Sequence, residues 1–579
     1  MKNAILRASA LCAGVLAALY GSQAFAAGAN DRNTTTPIKH IVVVVGENHS
    51  FDSLFATYKP ASGQSIKNLL SEGIITANGT PGPNFSFAAQ NKATDTSAYS
   101  LNPPRSGSYT WLPQPVFELG IPDLRFPFWL GNGPFQITKY VPYSGLGSVT
   151  GDPVHRFFQM WQQTGGSNAH HDMFVWVATT TGQGGNTTGV TASTPNQGGE
   201  LMGYYNMNTG DAPYFKSLAQ QYAISDNYHQ AVMGGTGMNF FSIATGDLPV
   251  YNNNGALAVP PANQIENPDP TPGTNNFYKQ DGYNGGSWVS CYDGTQPGAA
   301  AINNLLAQQG RSNNCAPGSY YLVNNYNPPY DVKGNPQALG ATNYVYPPQT
   351  VPTIAESLSA HNVSWKWYTG GREATDFAIS ILGDGVAPLL DLLVYNNIGD
   401  PLVGSKNIMT SSLRNNLQGT TSFFNDLSAG ALPAVSFVVP PNADGGHPGQ
   451  SAPALYENFV QNIVQKIQAN PALWAETAII VTTDEGGGFF DTGDIQQLDF
   501  FGDGPRIPLF VVSPFAKKGV VDHTYNDHGS ILKLIERNWG LPPLSSRSRD
   551  RLPYPVPGTN AYLPANAPAI GDLSSLFSF

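Results

Sequence analysis

The strongest constraint on the fold is a run of five β-branched apolar residues at positions 41–45, Ile-Val-Val-Val-Val. No polar residue alternates with them, so the run predicts a strand that is buried on both faces, as in a parallel sheet. Gly46 ends the run, and Glu47 and Asn48 follow it. Ligands bind at the carboxyl ends of strands in open α/β sheets, and hard cations prefer carboxylate and amide oxygens. The segment therefore predicts either a metal-ligating strand end or a turn in which Ser50 caps a short helix.

A second segment repeats this pattern near the other end of the chain. The apolar run at 478–481 leads through two threonines to Asp484 and Glu485, which precede three glycines. Three carboxylates buried side by side repel one another and lose hydration, and a bound cation offsets both costs. The two strand ends therefore predict a divalent metal site, with Ca²⁺, Mg²⁺ and Mn²⁺ all compatible with oxygen ligands. The predicted ligands are Glu47, Asn48, Asp484 and Glu485.

The first 26 residues have the three parts of a secretory signal peptide. Two basic residues precede an apolar stretch at 8–20, and Ala-Phe-Ala at 24–26 is a cleavage motif. The protein is therefore predicted to be secreted or periplasmic, with a mature chain that begins at Ala27. No later apolar run is long enough to cross a membrane.

Charge and composition limit the partners and the organisation. The formal net charge of −11 becomes −13 when Lys2 and Arg7 leave with the signal peptide. Binding to a nucleic-acid backbone needs a basic face, so no nucleic-acid partner is predicted. The many glycines and prolines predict a loop-rich globular protein. Because the two metal-site segments lie at opposite ends of the chain, residues 27–579 are predicted to form a single domain with an irregular insertion at about 250–350.

The predicted mature chain contains two cysteines, Cys291 and Cys315, which are 24 residues apart. In an exported protein they form either a disulfide or two separate buried thiols. The sequence is compatible with both.

A threonine between glycines is the candidate nucleophile. Thr236 follows two glycines, precedes a third, and opens a helical stretch. This pattern predicts a hydroxyl at a helix N-terminus, where backbone N–H groups favour a bound phosphate. A metal beside the hydroxyl would lower its pKa and make it a nucleophile. The alternative is a glycine turn that the threonine caps.

Three other segments contain histidines of interest. His155 begins a helical pattern that extends to Trp161, and His447 follows a predicted strand at 434–439. The segment 170–175, His-His-Asp-Met-Phe-Val, is predicted to be a strand. Side chains alternate between the two faces of a strand, so at most one of its two histidines would face a site.

Helix and strand signals alternate in the last third of the chain. Apolar residues at helical spacing precede the run at 478–481, and a strand at 507–512 precedes a helix at 531–539. This order predicts a three-layer α/β/α core around a mainly parallel sheet. The predicted apolar helix face contains Leu455, Phe459, Val460, Ile463, Val464 and Ile467.

Four motifs occur in order along the chain: Glu-Asn-His-Ser-Phe-Asp at 47–52, Asp-Asn-Tyr-His at 226–229 with the following Gly-Gly-Thr, Asp-Glu-Gly-Gly-Gly-Phe-Phe-Asp at 484–491, and Gly-Pro-Arg-Ile-Pro-Leu at 504–509. Together they resemble the bacterial phospholipase C and acid phosphatase family of phosphoesterases, relatives of alkaline phosphatase. The resemblance implies an alkaline phosphatase-like α/β/α core with long, loop-rich insertions. Its metal would be held by the four predicted ligands together with Thr236.

The same resemblance implies catalytic roles. Thr236 would attack phosphorus, and His155 and His447 would hold phosphate oxygens or protonate the leaving group. Two positions depart from the family pattern: Gly486 stands where a polar residue is common, and Thr492 stands where a histidine usually follows the aspartate. Both departures concern the handling of the leaving group, and neither removes a predicted metal ligand.

The predicted function is metal-dependent hydrolysis of small phosphate monoesters, as in an acid phosphatase, through a phosphothreonine intermediate. The first alternative is a phospholipase C that cleaves phospholipid phosphodiesters with the same site. The lack of a basic amphipathic stretch and the short segment after the last predicted helix favour the monoesterase. A non-enzymatic surface or glycan-binding protein is the third alternative, but it leaves the acidic strand ends unexplained.

Overall fold

The computed structural model of the protein describes residues 27–94, 96–115, 122–145, 147–166, 171–181, 198–271, 277–278, 285–373 and 395–579. The predicted signal peptide at 1–26 and His170 lie outside the described residues. Among the described residues, no helix combines the length and the apolarity that a membrane crossing requires.

An eight-stranded sheet forms the centre of the fold. In chain order its strands are β1 His40–Gly46, β2 Ala223–Ser225, β3 Trp365–Thr369, β4 Leu417–Gln418, β5 Val435–Val439, β6 Thr477–Thr483, β7 Leu509–Val512 and β8 Val521–Asp522. Their spatial order is β4-β3-β5-β1-β6-β7-β2-β8. Strand β7 is antiparallel to both neighbours, and every other adjacent pair is parallel. The predicted α/β fold with a mainly parallel sheet is confirmed.

Strand β1 lies between β5 and β6 and is buried on both faces, as its sequence predicts. Val42 and Val44 belong to the hydrophobic core on one face of the sheet, while Val43 and Val45 belong to the core on the other. The apolar run therefore joins two cores.

Helices cover both faces and complete the three predicted layers. Apolar residues of α4, α9 and α10 pack on the face of Val42, and those of α5, α7 and α12 pack on the opposite face. The helices are α1 Phe51–Phe55, α2 Phe157–Gln163, α3 Phe174–Thr181, α4 Pro213–Gln221, α5 Thr236–Thr245, α6 Ala299–Gln308, α7 Ile354–Ala360, α8 Lys406–Met409, α9 Thr420–Ser428, α10 Pro453–Gln468, α11 Pro471–Trp474 and α12 His528–Trp539.

Two local predictions are wrong. The segment that was expected to be a strand around His171 is a loop that leads into α3. A short apolar run such as Phe-Val-Trp-Val has no periodicity that separates a strand from a buried helix. Leu455 was expected on the buried face of α10 but is 41% exposed. It lies about 110° around the helix axis from the centre of that face.

The region predicted to be an irregular insertion contributes to a third hydrophobic core, which it shares with α2 and with residues 231–233 and 495–501. Helix α6 packs there with aromatic residues such as Trp288 and Tyr321. A disulfide joins Cys291 and Cys315, whose Cα atoms are 5.8 Å apart. The chain also forms short two-stranded sheets, which pair Asn91–Ala93 with Arg105–Ser108, Trp111–Leu112 with Leu130–Gly131, Phe135–Gln136 with Gly203–Tyr204, Tyr228–His229 with Asn526–Asp527, Asn252–Asn253 with Ala256–Leu257, Pro270–Thr271 with Phe277–Tyr278, and Trp288–Val289 with Tyr321–Leu322.

Candidate active site and metal centre

Two neighbouring parallel strands bring the predicted metal ligands together. Gly46 at the end of β1 pairs with Thr483 at the end of β6, so the residues that follow leave the sheet side by side. The backbone N–H of Asn48 donates to Asp484 Oδ1 at 3.2 Å, and the N–H of Glu485 donates to the same oxygen at 2.7 Å. The strand order thus places residues from both ends of the chain in one site.

The glycines after Glu485 allow two other segments to approach closely. Gly487 has a φ of 59°, and a Cβ added to it would lie 2.6 Å from the Cβ of Asn48. Gly488 has a φ of 73°, and a Cβ there would lie 2.2 Å from the carbonyl oxygen of Val154. The loop before His155 therefore packs directly against the acidic turn.

Thr236 is the first residue of α5 and faces the acidic residues. Its hydroxyl oxygen lies 3.3 Å from Glu47 Oε2 and 3.3 Å from Glu485 Oε1. Gly235 is the N-cap of α5, so the N-cap residue has no side chain to cap this helix. The alternative of a threonine-capped turn is therefore wrong, because the Thr236 hydroxyl is directed at carboxylates and not at its own backbone.

The three carboxyl groups are buried together, and no lysine or arginine of the described residues neutralises them. Burial raises the pKa values of Glu47 and Glu485 well above their ordinary values, and the charge of Asp484 raises both further. Burial also raises the pKa of Asp484 to about 7. Among the described residues, no lysine or arginine forms an ion pair with any of the three, and Asp484 Oδ2 and Glu485 Oε2 have no hydrogen-bond partner. The site lacks positive charge, which a divalent cation would supply.

The side chain of Asn48 also fits a cation. One atom of its amide lies 3.3 Å from Glu47 Oε2 and 3.2 Å from Asp484 Oδ1, and the other lies 3.1 Å from Nε2 of His447. With its nitrogen on the carboxylate side, the amide can donate hydrogen bonds to both carboxylates. With its oxygen on that side, it would add a third oxygen to a ligand set of the kind that a hard cation prefers.

Both predicted histidines lie beside this group. The Nε2 atom of His155 is 3.8 Å from Glu485 Oε1, and the rings of His155 and His447 are 6.4 Å apart. Asp152, which the sequence analysis did not identify, joins them: one possible ligand atom from each of the three residues lies within 4.8 Å of the others. These residues form a second group of donors that can hold a metal ion. Burial lowers the pKa of each histidine to about 4.

Two asparagines that the sequence analysis missed hold parts of the site in place. Asn396 donates its side-chain N–H to Glu47 Oε1. The side-chain oxygen of Asn325 accepts the backbone N–H of Gly237 at 2.8 Å, so this N–H of α5 is already paired. No local sequence signal identifies either residue; for Asp152 the only signal is its position three residues before His155.

Two other histidines contact backbone groups. His528 Nε2 lies 2.6 Å from the carbonyl oxygen of Asp484, so it contacts the backbone of the segment that carries two of the predicted metal ligands. His171 Nδ1 contacts the carbonyl oxygen of Asp491. Asp491 itself pairs with Arg506. Thr492, which departs from the family pattern, donates its hydroxyl to Asp52 Oδ2 at 2.6 Å beside this ion pair.

The sequence as a whole matches one protein family. The profile of the Phosphoesterase family matches residues 38–542, a range that includes both acidic strand ends, Thr236 and both predicted catalytic histidines. The chain belongs to the Phosphoesterase family. The predicted resemblance is confirmed, and at the level of the family so is the prediction of a phosphoric ester hydrolase.

Proteins similar to this member of the Phosphoesterase family are named either phospholipase C or acid phosphatase. Non-hemolytic phospholipase C of Burkholderia pseudomallei is 29% identical over 304 residues, which cover 45% of this chain and 40% of that protein. Hemolytic phospholipase C of Pseudomonas aeruginosa is 23% identical over 372 residues, 59% of this chain and 40% of the relative. Phosphate-repressible acid phosphatase of Penicillium chrysogenum is 24% identical over 237 residues, 39% and 52% of the two chains. The matches thus span 40–52% of these relatives' lengths.

Proposed function

We propose that the protein is an exported, metal-dependent phosphoesterase that hydrolyses phosphate monoesters through a phosphothreonine on Thr236. The observation that carries the proposal is the position of the Thr236 hydroxyl, which lies at the start of α5 and within 3.3 Å of two carboxylates. Membership in the Phosphoesterase family and the similarity to an acid phosphatase support it. The predicted signal peptide makes export part of the proposal, and the disulfide supports it because such bonds persist in oxidising compartments.

The donor set is suited to a hard divalent cation such as Ca²⁺, Mg²⁺ or Mn²⁺. Such an ion lowers the pKa of a neighbouring hydroxyl and stabilises negative charge on the phosphoryl group. The residues that would hold it are Glu47, Asn48, Asp484 and Glu485, with Thr236 beside them.

The protein's own residues then carry out two displacements. In the first, Thr236 Oγ1 bonds to phosphorus, its proton passes to a carboxylate oxygen 3.3 Å away, and the bond from phosphorus to the alcohol oxygen breaks. The leaving alkoxide takes up the proton that the carboxylate received, so the alcohol leaves neutral and the carboxylate is restored. In the second, water attacks phosphorus, the bond to Oγ1 breaks, and Thr236 regains its proton as inorganic phosphate leaves. The assistance of His155 and His447 in these steps stays a prediction.

A phospholipase C that uses the same residues is the second candidate, and exposed aromatic side chains favour it. Trp111, in a two-stranded ribbon, and Trp129, which directly precedes its second strand, are 54% and 65% exposed. Phe128 and Phe87 are 66% and 80% exposed. Aromatic side chains of this kind favour the interface between a lipid bilayer and water.

Initial rates with two substrates test the proposal and separate the two candidates. The mature protein is assayed with p-nitrophenyl phosphate and with phosphatidylcholine vesicles, before and after chelation. The proposal expects a chelator-sensitive rate with the monoester. A faster rate with the vesicles would favour the phospholipase C, and no rate with either would favour a binding protein.

Substitutions at position 236 test the nucleophile. Thr236→Val keeps the shape of the side chain but removes the hydroxyl, and we expect the rate to fall by about 10³-fold or more. Thr236→Ser keeps a hydroxyl and should stay within about tenfold of the wild type. A rate in Thr236→Val close to that of the wild type would remove Thr236 from this role. Acid quenching with a ³²P-labelled substrate should trap label on the wild type and not on Thr236→Val.

A further inference from the structure

The Asn48 amide lies between two chemically different neighbours. One amide atom faces the carboxylates of Glu47 and Asp484, and the other faces Nε2 of His447 at 3.1 Å. In one orientation, here called the rotated amide, the nitrogen is on the carboxylate side and donates hydrogen bonds to both carboxylates. Without a bound cation the carboxylates therefore favour the rotated amide, which has no oxygen directed at the metal centre.

His447 opposes that rotation through its tautomer. Its Nδ1 atom lies 2.5 Å from the carbonyl oxygen of Pro448. A carbonyl oxygen only accepts hydrogen bonds, so Nδ1 carries the proton and Nε2 of the neutral ring has a lone pair. Nε2 can then accept from the N–H of Asn48, whereas the rotated amide would place its oxygen lone pairs against the lone pair of Nε2.

Neither partner is free to move away. Asn48 is fully buried and has a φ of 51°. The loop of His447 is fixed on both sides, because the N–H of Glu47 donates to Gly445 O at 2.9 Å and the N–H of Gly446 donates to Ser451 Oγ at 2.7 Å. The imidazole and the amide therefore meet in one fixed geometry.

We propose that His447 is a positioning residue that directs the Asn48 side-chain oxygen into the metal centre. Groups behind a ligand commonly fix its orientation in this way, and their loss weakens metal binding. The inference rests on the metal centre of the proposed function and adds a role for His447 that requires no contact with the substrate.

His155 provides an internal comparison. Its Nδ1 also faces a backbone carbonyl, that of Pro153 at 2.6 Å. Its Nε2, however, faces an acceptor, Glu485 Oε1 at 3.8 Å, and not an amide N–H. The ring of His155 therefore has no influence on the orientation of Asn48.

A double-mutant cycle on metal affinity tests the inference without any substrate. The dissociation constant for Mn²⁺ is measured by electron paramagnetic resonance of the free ion, with mature wild-type protein, His447→Ala, Asn48→Asp and the double variant. We expect His447→Ala to weaken Mn²⁺ binding about tenfold when position 48 is asparagine. In the Asn48→Asp background the change should be less than about twofold, because the two carboxylate oxygens are equivalent and need no orientation.

Two further variants sharpen the cycle. His447→Gln offers a side-chain oxygen that accepts from Asn48, so it should restore most of the affinity that His447→Ala loses. His155→Ala is the matched control, and its effect on Mn²⁺ affinity should be the same in both backgrounds.

Three outcomes would overturn the inference. The first is an unchanged Mn²⁺ affinity in His447→Ala, which would limit His447 to substrate chemistry. The second is an equal loss in both backgrounds. The third is a fall in the number of bound ions from two to one, which would show that His447 holds a second ion with Asp152 and His155. A wild type that binds Mn²⁺ but hydrolyses nothing would contradict the proposed function and leave the cycle readable.

Discussion

Two clusters of buried carboxylates take their acids from the same two sequence motifs. They differ in whether a side chain of the protein offsets the buried negative charge. The metal-site cluster consists of Glu47, Asp484 and Glu485. The arginine cluster consists of Asp52, Asp491 and Arg506, and all of its side chains are buried as well. Each motif therefore supplies acid groups to both clusters, at its first residues and again five to seven residues later.

Arg506 provides the arginine cluster with an internal cation. Its guanidinium lies 3.0 Å from Asp491 and 3.1 Å from Asp52. Burial alone would raise the pKa of Asp491, but the charge and hydrogen bonds of Arg506 hold it below its ordinary value. The metal-site cluster has no such partner among the described residues, and the pKa values of its acids are raised. Burial still raises the pKa of Asp52 to about 7. The clusters therefore differ in one respect: the arginine cluster has a cation of its own, whereas we propose that the metal-site cluster takes one from solution.

Removing the internal cation should have the largest effect on stability. We expect Arg506→Met to lower the free energy of unfolding by about 3–5 kcal/mol, because it leaves two buried carboxylates unpaired. Added Mn²⁺ should not restore this loss. Urea unfolding measures it, and Arg32→Met is the control, since Arg32 pairs with Glu476 at the surface and its loss should cost less than about 1 kcal/mol. A loss in Arg506→Met as small as that of the control would contradict the structural role.

Removing the external cation should have a smaller and reversible effect. We expect chelation to lower the free energy of unfolding by about 3 kcal/mol relative to protein with Mn²⁺ at about 100 times its dissociation constant. Thermal unfolding with and without chelator measures the shift. Asp484→Asn should lose most of it and Asp491→Asn should keep it, because only Asp484 belongs to the metal-site cluster. If chelation changed the stability of both variants equally, the result would contradict the assignment of the metal to the metal-site cluster alone.

The pH dependence should differ between the metal-free and metal-bound states. Burial raises the pKa of Asp484 from 3.8 to about 7 in the metal-free fold. Its contribution to stability is therefore complete below pH 4 and is lost as the pH rises toward 7, by about 1 kcal/mol per pH unit. Urea midpoints should fall from pH 5 to pH 8 after chelation. Saturating Mn²⁺ should remove the part of this fall that is due to Asp484, because protons compete with the ion for the carboxylate.

A substitution at Asp484 tests whether this residue causes the fall of the urea midpoint with rising pH. Asp52 has a similarly raised pKa of about 7, so Asp484→Asn should remove only part of the dependence in the chelated protein. A slope in Asp484→Asn as steep as in the wild type would show that Asp484 does not contribute.

The smallest expected effect concerns the support of a single ligand. Asn396→Ala removes the N–H that Glu47 Oε1 accepts, and we expect Mn²⁺ affinity to fall about tenfold. Equilibrium dialysis measures it. Asn397→Ala, whose side chain contacts Asn327 at the surface, is the neighbouring control and should leave the affinity unchanged. Similar affinities for the two variants would show that Glu47 needs no second partner.

The predictable part of this structure is the part with a strong local pattern. The runs at 41–45 and 478–481 have no polar alternation, so they are compatible with few environments other than the centre of a parallel sheet. Their positions then fix where Glu47 and Asp484 must lie. The antiparallel direction of β7 could not be predicted, because a short apolar run is equally compatible with a parallel and an antiparallel strand.

The rest of the site depends on contacts between segments that are distant in sequence. Asn396 reaches Glu47 from 349 residues away and follows no regular pattern. Asp152 stands between a glycine and a proline, where an aspartate usually forms a turn. The expected strand near His171 failed because four apolar residues suit either secondary structure. Local sequence therefore predicted the residues that we propose as metal ligands but not the residues that support them.

The pairing of β1 with β6 also sets an order of events in folding. The loop that connects the two strands is more than 400 residues long, so closing it costs more chain entropy than a local contact and comes late. No fragment that lacks β6 can present both halves of the ligand set. An ion cannot guide the early steps of folding, and tight Mn²⁺ binding becomes a signal that the two ends of the chain have met.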